Sequence, residues 1–304
     1  MNYYGKDTNN KSEWLGPVAI SGGGGSGTRV VAEILKKVNF YIGSDLNSAN
    51  DNLWFTFLFK RPKWFIKNSD TKLEIFKGLS LFEKAMTGSL CPQFDEFNFM
   101  MKAALKMVLN EHTYLREGNK LWPIKRVINM VKAKNHNLSG YIGWGWKEPN
   151  THIYIEYLCN HFNNLHYIHV IRHGLDMAYS SNQNQLYNWG KIFGIEVPDS
   201  QKLIPRASLN YWIESNKRAT TLGKTLLNER FFIVNFDKLC LNPEHEINLL
   251  INFLGIDTKY VNMDELKMLP VLPKSMGRYK NYDITIFSKD EIDAVKKFGF
   301  VVDT

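Results

Sequence analysis

The chain has 304 residues, 44% hydrophobic and 22% charged, with a formal net charge of +8. That length suits one large α/β domain with insertions or two smaller domains, and the composition excludes a disordered or low-complexity chain. The basic balance fits an anionic ligand, and without a dense Lys/Arg cluster it argues against nucleic acid. Three scattered cysteines, Cys91, Cys159 and Cys240, match no metal spacing, and their odd number argues against a disulfide framework. With no leader-like N-terminus and no apolar run of membrane-spanning length, a soluble cytoplasmic protein without integral membrane association is expected.

Taken in order, residues 1–15 are polar and read as a flexible arm, leaving 16–304 as a single α/β domain. Residues 17–20 form a short apolar strand that meets four glycines, then Ser26, Gly27 and Thr28. Apolar residues at 30, 31, 34, 35 and 38 follow a 3.6-residue period, so a helix begins directly after the glycines. A second strand over 40–43 leads into a polar stretch holding Asp45, Asn47 and Asp51. In open α/β sheets the ends of such strands face ligands. An aromatic run over 53–65 reads mainly as core, with an acceptor-binding wall as the alternative. Residues 71–134 interrupt the strand–helix alternation and read as a helical insertion suited to acceptor specificity. Alternation resumes with a strand over 141–146, then Lys147-Glu148-Pro149. Asn150 or Thr151 is expected to cap a helix running to about His161. Further strands are expected over 166–172 and 229–235. Helices are expected over 175–186, 205–227 and 243–254, the last stopped by Gly255. The pattern predicts a three-layer α/β sandwich with a central parallel sheet and helices on both faces.

The strand–glycine–helix unit is the strongest local signal. Glycines let the backbone turn tightly and bring N–H groups close to a ligand, and a helix start adds unpaired donors and partial positive charge. An ordinary glycine-rich turn is the plain alternative. A nucleoside-triphosphate loop needs Lys and then Ser/Thr after its last glycine, where this chain has Thr28 and Arg29. A dinucleotide fingerprint is satisfied by Gly22, Gly24 and Gly27, with Asp45 as the acidic partner after the second strand. A third form is a phosphosulfate loop built on Ser26-Gly27-Thr28. A second constellation is Arg172, Asp176 and Ser180. Spacing places Asp176 and Ser180 on one helix face. Arg172 and Ser180 could then share a phosphate, or Arg172 could pair with Asp176.

With these residues in hand, the chain resembles sulfotransferases that use 3′-phosphoadenosine 5′-phosphosulfate (PAPS), in their bacterial carbohydrate and tyrosylprotein branch. Ser26-Gly27-Thr28 resembles the 5′-phosphosulfate loop, and residues 172–180 resemble the 3′-phosphate motif R-x-G-x-D-x-x-x-S. Lys147-Glu148-Pro149 resembles the K-x-P element. The segment 234–244, with Asn242-Pro243, resembles the family's late strand and "N-P" region, and residues 275–280 resemble the closing glycine–basic loop. The resemblance implies a P-loop-like fold and sulfuryl transfer from PAPS, leaving adenosine 3′,5′-bisphosphate (PAP), with no metal. It implies that Gly24, Gly25, Ser26, Gly27, Thr28 and Arg29 hold the phosphosulfate and that Arg172 and Ser180 hold the 3′-phosphate. Ser275, Arg278 and Lys280 would close over the nucleotide.

The same resemblance places Lys147 beside the transferred group and points to Asp45 or Asp51 as general base, with Glu148 and His112 as fallbacks. The chain departs from the family at Gly25, where Lys or Arg usually stands, so Lys147 or Arg29 must supply the missing charge. The acceptor is expected to be a carbohydrate or glycolipid hydroxyl, partly because Trp54, Trp64, Trp144 and Trp146 fall near the site. An NAD(P)-binding oxidoreductase and a nucleotide-binding protein without transfer activity are the alternatives from other classes.

Overall fold

The computed structural model describes residues 15–108, 121–134 and 138–303. The expected arm lies outside these residues except for Leu15, which opens the first strand, and His112 lies outside them too. Five parallel strands form the sheet: β1 (Leu15–Gly22), β2 (Phe40–Tyr41), β3 (Gly143–Lys147), β4 (His166–Ile171) and β5 (Phe231–Asn235). Their spatial order is β2-β3-β1-β4-β5, so β1 is central and β2 is an edge.

That order decides one alternative. A dinucleotide-binding sheet places its second strand beside the first, so that the acidic residue ending strand two reaches the ribose. Here β3 lies between β1 and β2, which puts Asp45 one strand too far out. The alternative reading of Gly22, Gly24, Gly27 and Asp45 as a dinucleotide fingerprint is therefore set aside.

Side chains alternate across the buried sheet. Val18, Ile20, Phe40, Ile168 and Val170 face one core, with α1 (Thr28–Lys37) packed over them. Ala19, Tyr41, Trp144, Trp146 and Tyr167 face the other. Period-two alternation into two apolar layers is what a parallel sheet covered on both faces requires. Between β2 and β3 the chain forms α2 (Leu53–Phe59), α3 (Pro62–Asn68), α4 (Leu73–Met86), α5 (Phe94–Lys106) and α6 (Trp122–Lys132). Their inner faces share the second core.

The rest of the chain alternates more tightly. A 3₁₀ turn over Pro149–Tyr154 leads into α7 (Ile155–His161), and β4 leads into α8 (Gly174–Ala178) and α9 (Asn184–Trp189). The long α10 (Ile204–Leu227) returns the chain to β5. After β5 come α11 (Phe236–Leu241), α12 (Pro243–Phe253), α13 (Met263–Leu266) and α14 (Lys289–Lys297). Gly255, at φ +67°, ends α12 as expected.

Two local expectations change. The cap after Lys147 is Glu148, whose carboxylate accepts from Asn150 N at 2.7 Å, not Asn150 or Thr151. The single helix expected over 175–186 is broken after Ala178. The Gln183 amide donates to the carbonyls of Met177, Ala178 and Ser180 at 3.2, 2.9 and 2.6 Å, satisfying the acceptors of a finished helix. Asp176 and Ser180 therefore do not share a helix face.

Candidate active site

The candidate anion loop leaves β1 at Gly22 and enters α1 at Thr28. Ser26 N donates to the Gly23 carbonyl at 2.9 Å, which closes the turn. Gly27 caps the helix at φ +95°, and a Cβ there would stand 2.0 Å from the Phe236 ring. Only glycine meets both conditions. The first turn of α1 has no side-chain cap and no acidic residue, so its N–H groups keep their partial positive charge. Ser26 is buried, and its hydroxyl has no partner among the described residues. Thr28 is also buried, whereas Arg29 is exposed.

Gly25 explains the missing basic residue in backbone terms. A Cβ there would meet nothing nearer than Met177 Cε at 3.9 Å, so there is room for a side chain. The backbone, however, sits at φ +91°, which an L-residue adopts only under strain. In this loop conformation a lysine would cost stability regardless of the space.

Arg172 follows the end of β4 and reaches this loop. Its Nη1 donates to the Gly25 carbonyl at 3.2 Å and its Nη2 to Ser275 Oγ at 2.7 Å, leaving the buried Nε without a partner. Burial pushes the guanidinium pKa down, and the neighbouring carboxylates of Asp237 and Asp176 oppose that shift. Burial pushes the Asp237 carboxylate up, against the pull of Arg172. The alternative of an Arg172–Asp176 pair gives way to another use of the carboxylate. Asp176 accepts from Gly277 N at 2.7 Å and Tyr279 N at 3.1 Å, and so anchors the closing loop. Arg278 lies in that loop and bonds the carbonyls of Ser275 and Tyr179, both at 3.4 Å. Ser180 follows Tyr179 and accepts from Asn182 N at 3.2 Å. Lys280 instead pairs with Asp303 at 2.5 Å, on the exposed surface. Gly25, Arg172, Ser275 and Arg278 thus form one linked group, and Lys280 does not join it.

Lys147 ends β3 beside β1, in register with Ile20. Its buried ammonium pairs with Asp51 and donates to the Ala49 carbonyl at 3.1 Å. Asn47 Nδ2 holds the other Asp51 oxygen at 2.8 Å. Two of the expected catalytic residues therefore meet directly. Asp45 stands apart. Its Oδ2 faces Arg126 Nε at 3.2 Å and accepts from Asn129 at 3.0 Å, both on α6. Glu148 is fully buried, with both oxygens on Asn150 at 2.7 and 2.8 Å, and burial pushes its pKa up. The tryptophans expected near the acceptor are core residues: Trp54, Trp64, Trp144 and Trp146 are all buried. The aromatic argument for a sugar acceptor is corrected accordingly.

Some site residues escaped the sequence reading. Arg126 and Asn129 lie in the helical excursion, and only the register of α6 could have pointed to them. Gln185 and Asn150 carry no motif. Ser21 was hidden in the strand, although its hydroxyl accepts from His152 N and donates to the Pro149 carbonyl, both at 2.9 Å.

The solved structures this chain resembles include the sulfotransferase domain of the Synechococcus PCC 7002 olefin synthase, at 13% identity over 95% of this chain and 96% of that one, with a TM-score of 0.46. A second is the sulfotransferase domain from the curacin biosynthetic pathway, at 12% identity over 95% and 99%, with a TM-score of 0.49. A third is sulfotransferase STF9 from Mycobacterium avium, at 14% identity over 94% and 76%, with a TM-score of 0.45. No curated protein sequence matches the chain. The model of the sulfotransferase family (Sulfotransfer_3) matches residues 17–260, a span that runs from β1 and its anion loop past α12. The chain belongs to the sulfotransferase family.

Proposed function

We propose that this sulfotransferase takes its sulfuryl group from PAPS and delivers it to an acceptor hydroxyl. One observation carries the reading. A buried, unpartnered Ser26 hydroxyl sits in a loop of open glycines, and the Arg172 guanidinium ties that loop to Ser275. A ligand with two separate anionic groups fits this arrangement. One group meets the N–H donors of Gly25, Gly27 and Thr28 and the hydroxyls of Ser26 and Thr28, while the N–H groups of Gly24 and Ser26 hold the loop in shape on Gln185 and the Gly23 carbonyl. The other meets Arg172 and Arg278, with Ser180 beside them.

When bound, PAPS supplies the sulfuryl group: an acceptor-oxygen–sulfur bond forms as the bond from sulfur to the 5′-phosphate oxygen breaks, and PAP leaves. The chain's own task is positioning and charge stabilisation. Lys147 is the proposed cation for the developing charge, in place of a basic residue at 25. Asp51, already bonded to Lys147, is the proposed acceptor of the hydroxyl proton. Asp45 is assigned instead to holding α6 against the polar loop, because its Oδ2 faces Arg126 and accepts from Asn129, both on that helix. A carbohydrate or glycolipid hydroxyl remains the proposed acceptor. It rests on the branch whose Lys-x-Pro element this chain shares, no longer on the tryptophans. A cytoplasmic location is proposed with it, in keeping with three free thiols. Among the described residues no helix is long and apolar enough to cross a membrane.

The test is calorimetric titration with PAP, 5′-AMP and NAD⁺. PAP should bind at least about tenfold more tightly than 5′-AMP, the difference being the charge-assisted bonds to the 3′-phosphate. Equal affinities would remove the proposed 3′-phosphate site. A second reading, nucleotide binding without transfer, is favoured by the absence of charge at Gly25 and the engagement of Lys147 by Asp51. Conversion of PAPS to PAP by the purified protein would eliminate it.

A further inference from the structure

Gln185 lies on α9 with its carboxamide against the back of the anion loop. Its oxygen accepts from Gly24 N at 2.7 Å. Its nitrogen donates to Asn150 Oδ1 at 3.1 Å and reaches the Gly22 carbonyl at 3.5 Å. Asn150 uses its own amide nitrogen on Glu148 Oε1 at 2.8 Å and its backbone N–H on Glu148 Oε2 at 2.7 Å. Three side chains therefore run in series from the loop to the turn that follows Lys147. The requirement at Gln185 is polar at both ends and opposite in sense: an acceptor toward Gly24, a donor toward Asn150. An amide meets both, whereas a carboxylate or a thioether of similar length meets one or neither.

Packing does little to hold the loop here. Gly23 and Gly24 border a cavity of about 30 Å³, whose wall includes Met177, Tyr211, Ser215 and Asn216. The glycines have no side chains to anchor them. A hydrogen bond to the backbone is then what sets the direction of the peptide groups around Gly24, and with it the direction of the donors that follow.

We infer that Gln185 is a positioning residue. It fixes the loop at Gly24 in its anion-binding form, and through Asn150 and Glu148 it makes the loop and the turn of residues 147–149 one rigid unit. Donor binding and the placement of Lys147 are coupled through this chain of amides. The inference rests on the nucleotide reading above, and the experiment separates the two.

PAP affinity is measured by calorimetry for the wild type, Gln185→Met, Gln185→Glu, Asn150→Ala and the double variant Gln185→Met/Asn150→Ala. The melting temperature of each is recorded without ligand. Gln185→Met fills the same space without the bonds and should weaken PAP about tenfold, while its melting temperature stays within about 2 °C of wild type. Gln185→Glu keeps the bond to Gly24 but sets a carboxylate against Asn150 Oδ1 and the anion loop. It should weaken PAP about a hundredfold, less so at high salt. In the double variant, Gln185→Met should cost clearly less than it does alone, as coupled neighbours do.

Wild-type binding with Gln185→Met and Gln185→Glu both within about twofold of it would overturn the positioning role. Additive effects of the Gln185 and Asn150 substitutions would overturn the link to the turn. A wild type that binds no PAP would instead overturn the nucleotide reading itself.

Discussion

The proposed donor half and the proposed acceptor half of the site are built by different means. On the donor side the working parts are backbone groups and short side chains at the ends of neighbouring strands β1 and β4, joined by Arg172. On the proposed acceptor side they are Lys147 and Asp51, far apart in the chain and already neutralised as a pair, with the structural Arg126–Asp45 pair at the same polar loop. The first half is preorganised by chain geometry. The second is preorganised by electrostatics, and removing one member leaves the other buried and unpaired. Substitutions should therefore act on binding in the first half, and on turnover or stability in the second.

The sharpest test of that division is Lys147→Met. It should lower PAPS-to-PAP turnover about a thousandfold, close to 4 kcal/mol of transition-state stabilisation, with PAP affinity within about threefold of wild type. A matching loss of PAP affinity would put Lys147 in the donor half and erase the distinction. Next is Arg172→Ala, which should weaken PAP about a hundredfold, near 3 kcal/mol, and leave 5′-AMP almost unaffected. Equal losses for both nucleotides would mean that Arg172 supports the loop and not a second anionic group.

A third test probes the polar floor beneath both halves. Burial holds His152 at about 3 and His169 at about 4, well below the ordinary histidine value of 6.5. Both are neutral when folded, and the unfolded chain protonates them first. Their contribution is intact above pH 6.5 and declines as pH falls through that value toward the folded pKa. Stability by denaturant unfolding should be about 2 kcal/mol lower per histidine at pH 5 than at pH 7. His169→Gln should recover roughly half of that combined loss. An identical stability at the two pH values would contradict the buried neutral state. The smallest effect belongs to Asp45→Asn, which should cost about 1–2 kcal/mol of stability and leave turnover largely intact. A large fall in turnover at unchanged stability would restore Asp45 as the base.

The same division accounts for what could be read from the sequence. The anion loop and Arg172 are local patterns, visible because their residues adjoin the strands that place them. The parallel sheet followed from alternation, and its three-layer form is what the two cores bear out. The expected helix over 175–186 failed because Gln183, a residue with no strong preference, caps the carbonyls before it. The aromatic run did not advertise which face it would bury. Four tryptophans that could have lined a sugar site are instead buried in the core that the excursion shares with the sheet. Asp45 looked like a ribose ligand or a base because its partners, Arg126 and Asn129, lie more than 80 residues further along the chain.

The excursion from α2 to α6 leaves the sheet after β2 and comes back at β3, and those two strands are direct neighbours. Its entry and exit are thus pinned side by side at the sheet edge. Its inner surface is committed: Phe55 and Phe82 lie against Trp146, with ring centroids 5.6 and 5.2 Å away. Only its outward surface is free to drift. A lineage built on this plan can vary the outside of that layer without disturbing the aromatic seam or the two strands that bracket it. An engineer testing whether this layer governs acceptor choice, as the sequence suggests, would randomise those outward positions and leave the aromatic seam alone.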